Sequence, residues 1–73
     1  METNNASANN QQVIDSLNNL IQINNDRIQG YLTASQETDQ SDLKGVFSEM
    51  MTASQENRRE LVQHVTKLGG TPI

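Results

Sequence analysis

Residues 43–68 read LKGVFSEMMTASQENRRELVQHVTKL, and their apolar spacing is the strongest indication of the fold. Alternating steps of four and three place eight of its residues on one helix face: Leu43, Phe47, Met50, Ser54, Asn57, Leu61, His64 and Leu68. Further apolar residues make the stripe wider than one partner helix covers, as is typical of a bundle helix: Val46, Met51, Val62 and Val65. Gly69–Gly70 favour a helix stop and Pro72 prevents resumption, so we predict a helix from about residue 40 to 68.

A second helix is predicted upstream, from about residue 10 to 35. Its apolar positions again follow steps of three and four, and include Leu17, Leu20 and Tyr31, while Asn24 interrupts the stripe. Residues 36–39 form the expected loop, and Asp39 is the expected N-cap of the following helix because its carboxylate can accept a backbone N–H. Residues 1–9, METNNASAN, are short and polar, and we predict a disordered tail.

Two long helices joined by a short loop must run antiparallel. The predicted fold class is therefore all-α, an antiparallel helix–loop–helix hairpin. Each helix exposes a stripe wider than one partner can cover, so we expect a homodimer in which two hairpins form a four-helix bundle. The residues expected to form the interface or fix its register are Leu17, Leu20, Asn24, Phe47, Met50, Ser54, Asn57 and Leu61.

The composition limits how the chain can be stabilised. Seventy-three residues with 33% hydrophobic content allow one domain with a thin core. There is no cysteine and a single histidine, which excludes disulfides, thiolate metal sites and a multi-histidine zinc site within one chain. Oligomerisation is the remaining route to stability.

Charge and hydropathy argue against two classes of partner. The formal net charge is −4 and no basic cluster exceeds the pair Arg58–Arg59, so nucleic acid is not an expected partner. No apolar run approaches the length of a membrane span, so no membrane partner is expected. Residues 1–10 lack the basic start and the apolar stretch of a signal peptide, and a cytoplasmic location follows by default.

Two groups of polar residues are candidates for a site. Glu60 and His64 lie four apart on one helix face and are weak candidates to hold a metal ion; two ligands are too few, although a symmetric dimer contributes four. We favour the alternative, an exposed histidine beside a carboxylate. Asn24, Ser54 and Asn57 form a polar layer, which is either a ligand or metal pocket or, as we prefer, a set of buried groups that fix register.

Several segments of the chain resemble a known family. The second half carries Leu43-Lys44-Gly45-Val46-Phe47, Ser54, Glu60-Leu61 and Leu68-Gly69-Gly70-Thr71-Pro72, and the first helix carries Leu17, Leu20-Ile21, Asp26, Gly30-Tyr31 and Ala34. Over residues 12–72 the chain resembles a bacterial domain-of-unknown-function family of ferritin-like four-helix bundles. Members of that family are about twice as long as this chain, so the resemblance implies the N-terminal helical pair.

The resemblance also implies alternative functions: a ferritin-like metal-binding protein, or the N-terminal half of a longer ferritin-like protein. Ferritin-like proteins hold two metal ions with inward Glu residues and Glu-x-x-His pairs. Gln29 stands where the family commonly has an acid, and Arg59 stands where the His of that motif is needed. No residues have the spacing of a nucleophile and its base. We therefore expect no enzyme and no cofactor, but a self-association or protein-interaction module.

Overall fold

A computed structural model describes the backbone of residues 2–73 and the side chains of residues 10–73. It contains two helices, α1 (Glu2–Glu37) and α2 (Ser41–Lys67), which pack against each other. No strand occurs between residues 2 and 73. The link of residues 38–40 is too short for anything but an antiparallel arrangement. The predicted all-α helix–loop–helix hairpin is thus confirmed.

The helix boundaries differ from the predicted ones mainly at the start of the chain. Helix α1 begins at Glu2, whereas the periodic apolar pattern that supports the prediction begins only near residue 10. The predicted disordered tail, residues 1–9, lies outside the residues whose side chains are described.

The loop is fixed by contacts other than the predicted one. Asp39 was expected to cap α2, and this is wrong: α2 begins at Ser41, and Gln40 occupies the N-cap position without a side-chain hydrogen bond. Asp39 lies one residue too early to reach the free N–H groups of the first turn. The Lys44 Nζ atom instead donates to the Ser35 carbonyl at 2.6 Å. This ammonium group faces the negative end of α1, whose own last turn contains no basic residue.

The end of α2 is a Schellman motif, in which two backbone N–H groups turn back onto the last helical turn. Gly69 has a φ of 82° and donates to the Thr66 carbonyl at 3.0 Å, while Gly70 donates to the Val65 carbonyl at 2.9 Å. A Cβ atom at Gly70 would lie 2.8 Å from Cγ2 of Ile14. Glycine therefore permits both the left-handed turn and the close approach of the chain to α1.

The segment after this turn is held against α1 by one side chain. The Asn18 Nδ2 atom donates to the Thr71 carbonyl, and the Asn18 Oδ1 atom accepts from the Ile73 N–H, both at 3.2 Å. The two bonds fix the direction in which the chain leaves α2.

The core between the helices is thin. Among residues 10–73 the buried hydrophobic residues are Ile14, Ile21 and Val65, with Leu17, Leu61, Val62 and Leu68 packed partly against them. A larger group of hydrophobic side chains is exposed: Val13, Leu20, Ile23, Leu32, Leu43, Val46, Met50 and Ile73. Within residues 10–73 the single hairpin thus buries three large hydrophobic side chains and leaves eight exposed.

Candidate interaction site: a polar groove within an apolar face

An open groove with a volume of about 370 Å³ lies between the two helices. Its lining residues are Leu20 and Asn24 from α1, with Asn57, Glu60, Leu61 and His64 from α2. Each set is spaced by three or four residues, so each forms one side of its helix. The antiparallel packing brings the two sides together at one level of the hairpin.

The wall of this groove contains one buried polar atom without a hydrogen-bond partner among the described residues, the Oδ1 atom of Asn24. The residue is only 5% exposed, and its Nδ2 atom donates to the Leu20 carbonyl at 2.9 Å. This bond to the preceding turn is a typical local interaction of a mid-helix asparagine. The buried Oδ1 atom has no hydrogen-bond partner within the described part of the chain. A buried acceptor without a donor costs about 1–3 kcal/mol.

The predicted polar layer is divided between two environments. Asn24 and Ser54 are buried, whereas Asn57 is exposed to the groove. Ser54 is not among the lining residues, so the groove joins only the two asparagines.

The remaining predicted interface residues also fall into two groups. Leu17 and Phe47 are half-buried, while Leu20 and Met50 are exposed. Leu61 contributes to both surfaces, since it packs against the core cluster and also lines the groove.

Exposed apolar side chains lie on the same side of the hairpin as the groove, and we call this surface the open face. Val13 lies seven residues before Leu20 and Ile23 three residues after it, on the groove side of α1. On α2, the exposed apolar residues Leu43, Val46 and Met50 are separated by three and four residues, and Met50 lies seven residues before Asn57. They therefore lie on the same side of α2 as Asn57 and His64. The open face consists of Val13, Leu20, Ile23, Leu43, Val46 and Met50. Leu32 is exposed too, but lies about 120° around α1 from Leu20.

The two weak metal candidates, Glu60 and His64, both line the groove. Among the described residues, no three His, Cys, Asp or Glu side chains lie close enough together to hold a metal ion. One copy of the groove therefore offers a single pair of such groups. Gln29 is exposed on α1.

One ion pair is present among the described side chains, and it lies outside the groove. Arg59 Nη2 and Glu56 Oε1 are 2.6 Å apart, with both side chains more than half exposed. The hydrogen bond and the positive charge of Arg59 lower the pKa of Glu56, and the same contact raises the pKa of Arg59. Such exposed pairs contribute little to stability. Arg59 thus serves as a surface partner of Glu56.

Arg27 is not among the residues predicted for a site, although its position in the sequence carries a signal. Arg27 lies seven residues after Leu20 and therefore continues the stripe of Val13 and Leu20. It is exposed and forms no ion pair with any side chain of residues 10–73.

Residues 12–73 match the family model described as "Domain of unknown function (DUF2383)". The chain belongs to the DUF2383 family. The match covers most of α1, all of α2 and the Gly-Gly-x-Pro turn, and it confirms the resemblance to a domain-of-unknown-function family. No curated protein and no solved structure matches this DUF2383 chain. In the described part of the chain, neither helix has the length and apolar character needed to cross a membrane.

Proposed function

We propose that this DUF2383 chain is a non-enzymatic self-association module, in which two copies pack their open faces together into a four-helix bundle. The observation that carries the proposal is the open face itself. Six large apolar side chains are exposed on the same side of the hairpin as a groove whose wall contains an unsatisfied acceptor. Exposed apolar patches are characteristic of interaction sites.

The extent of the open face supports a partner of comparable size, because its residues run from Val13 to Ile23 on α1 and from Leu43 to Met50 on α2. A second copy supplies a matching apolar face without requiring any other protein.

The polar groove supports a specific orientation of the two copies. When the open face is covered, water leaves the groove and its polar groups need partners within the bundle. Asn57 provides two amide N–H donors in the same groove as the unpaired Asn24 acceptor. Buried asparagines of this kind fix register in helical assemblies at some cost in stability.

A second candidate is a ferritin-like bundle in which a further helical pair, in a longer form of the protein, covers the same face. The family match through the Gly-Gly-x-Pro turn supports it, because that turn precedes the second pair in the family that the sequence resembles. A ferritin-like metal-binding function relies on Glu60 and His64 alone. The metal content of protein purified without chelator tests it: one or two iron or manganese ions per dimer would favour this candidate.

A matched pair of substitutions on α1 tests self-association. Leu20 lies on the open face and is 45% exposed, whereas Gln29 is exposed about 180° around α1 from it. We expect Leu20→Glu to convert the dimer into a monomer, because a charge would enter the apolar interface, while Gln29→Glu leaves the mass unchanged. Size-exclusion chromatography with light scattering measures both. Equal masses for the two variants would contradict the proposed face.

Asn57→Leu tests the role of the polar groove. We expect the variant to keep its helicity and to melt at the same or a higher temperature, because a leucine adds apolar surface to the bundle. Without the asparagine the assembly should become heterogeneous, with species larger than a dimer visible by light scattering. A clear fall in melting temperature with an unchanged mass would show instead that Asn57 makes a stabilising hydrogen bond.

A further inference from the structure

We infer that the groove of one copy receives Arg27 of the second copy, whose guanidinium group pairs with the carboxylate of Glu60. This inference relies on the proposed self-association and adds the contact that sets its orientation. In a two-fold symmetric dimer the contact occurs twice, because each copy contributes both Arg27 and Glu60.

Glu60 needs a cationic partner once the open face is covered. It lines the groove and forms no ion pair within residues 10–73. Covering the groove removes water from its carboxylate, and a desolvated carboxylate without a partner is strongly unfavourable. A permanently charged partner close to Glu60 would therefore stabilise the dimer.

Only Arg27 among the five Lys and Arg residues is suitably placed. Lys44 donates to the Ser35 carbonyl and Arg59 pairs with Glu56. Arg58 follows Asn57 by one residue and so points about 100° away from the groove side of α2.

Lys67, the last residue of α2, lies ten residues beyond Asn57. If the two copies are related by a two-fold axis that crosses the helices at the level of Asn57, Lys67 of one copy lies far from the partner's Glu60. Arg27 remains, exposed and on the stripe of Leu20.

The levels of the two residues agree with a simple symmetry. Arg27 lies three residues after Asn24 on α1, and Glu60 lies three residues after Asn57 on α2, so each is about 4.5 Å along its helix from the asparagines. Because the helices are antiparallel, Arg27 lies on one side of the level of the asparagines and Glu60 lies on the other side. A two-fold axis perpendicular to the helices at that level exchanges the two sides in the second copy. Arg27 of one copy therefore lies at the same level as Glu60 of the other.

The chemistry of arginine also suits the walls of the groove. Its guanidinium group has five N–H donors in a planar fork, which match a carboxylate in a bidentate pair. The aliphatic part of the side chain can cover the apolar wall that Leu20 and Leu61 form.

Charge reversal tests the contact in five samples: the parent chain, Arg27→Glu, Glu60→Arg, an equimolar mixture of these two variants with different tags, and a chain with both substitutions. We expect each variant alone to dimerise at least about tenfold more weakly than the parent, because two repulsive contacts replace two attractive ones. The mixture should form heterodimers with nearly the affinity of the parent, because opposite charges meet again at both contacts. Light scattering and co-purification through one tag measure the two effects.

Arg58→Glu is the matched control, since it makes the same change of charge on α2 away from the groove. It should dimerise like the parent, and its heterodimer with Glu60→Arg should be weaker than the parent dimer because one of the two contacts stays repulsive. Far-UV circular dichroism checks that all variants remain helical, which is expected because the three altered side chains are exposed.

The possible outcomes separate the contact from the self-association. If the parent chain dimerises and the single variants dimerise equally well, the Arg27–Glu60 contact is refuted but the self-association is not. The same holds if the mixture forms no heterodimers. A parent chain that stays monomeric would refute both. If the chain with both substitutions dimerised like the parent while the mixture did not, Arg27 and Glu60 would pair within a single hairpin. That result would refute the contact between copies.

Discussion

Leu61→Asp should unfold the hairpin or dissociate its assembly. Leu61 is half-buried against the core cluster and also lines the groove, so an aspartate there would place a carboxylate in both apolar contacts. We expect the free energy of unfolding to fall by about 3 kcal/mol or more, because the core cluster would remove water from the new carboxylate. Thermal melts followed by circular dichroism, together with light scattering, measure the loss.

Gln63→Asp provides the control for this substitution. Gln63 is exposed and lies two residues from Leu61 on the other side of α2, so the same charge should leave both melting temperature and mass unchanged. If Leu61→Asp melted like the parent, the assignment of the inward face of α2 would be wrong.

Ile21→Ala should produce the largest loss of stability among conservative core substitutions. Ile21 is fully buried, with 0% exposure, in a core that contains few other large side chains. Removing the outer atoms of a buried isoleucine and leaving a cavity costs about 2–5 kcal/mol. Each kcal/mol lowers the melting temperature of a domain of this size by roughly 4–8 °C. The loss should therefore be evident in a thermal melt.

Ile23→Ala is the matched comparison and separates folding from association. Ile23 belongs to the open face and is 43% exposed, although it is only two residues from Ile21. Its truncation should weaken dimerisation while helicity at high protein concentration is retained, because its proposed partner is the second copy. Equal effects of the two substitutions on association and on melting would contradict the division between core and open face.

The architecture could be predicted because it depends on regular periodicity. The steps of three and four from Leu43 to Leu68 indicate one long amphipathic helix, and the breadth of that stripe indicates more than one packing partner. Gly69 could be predicted as a terminating residue for the same local reason, because a helix end with positive φ favours glycine.

The details of the loop and the groove depend on contacts between the helices, which sequence spacing does not specify. Capping of α2 by Asp39 required the helix to begin one residue earlier than it does. The Lys44 contact with the Ser35 carbonyl forms only once the chain has folded back. Asn24 was visible as a break in the stripe, but its unpaired oxygen follows from the rotamer that donates to the Leu20 carbonyl.

The apolar spacing of α1 also does not predict a role for Arg27. A charged residue in an apolar stripe is usually taken as the edge of the stripe, and only the groove beside Glu60 suggests a use for it. The signal was its spacing of seven residues from Leu20.

The solution mass of the parent chain shows directly whether two open faces pair. We would measure it by light scattering coupled to size-exclusion chromatography over a wide range of protein concentrations. Self-association through the open face predicts a stable species near twice 8.1 kDa. A helical species that remains at 8.1 kDa at every concentration would contradict it.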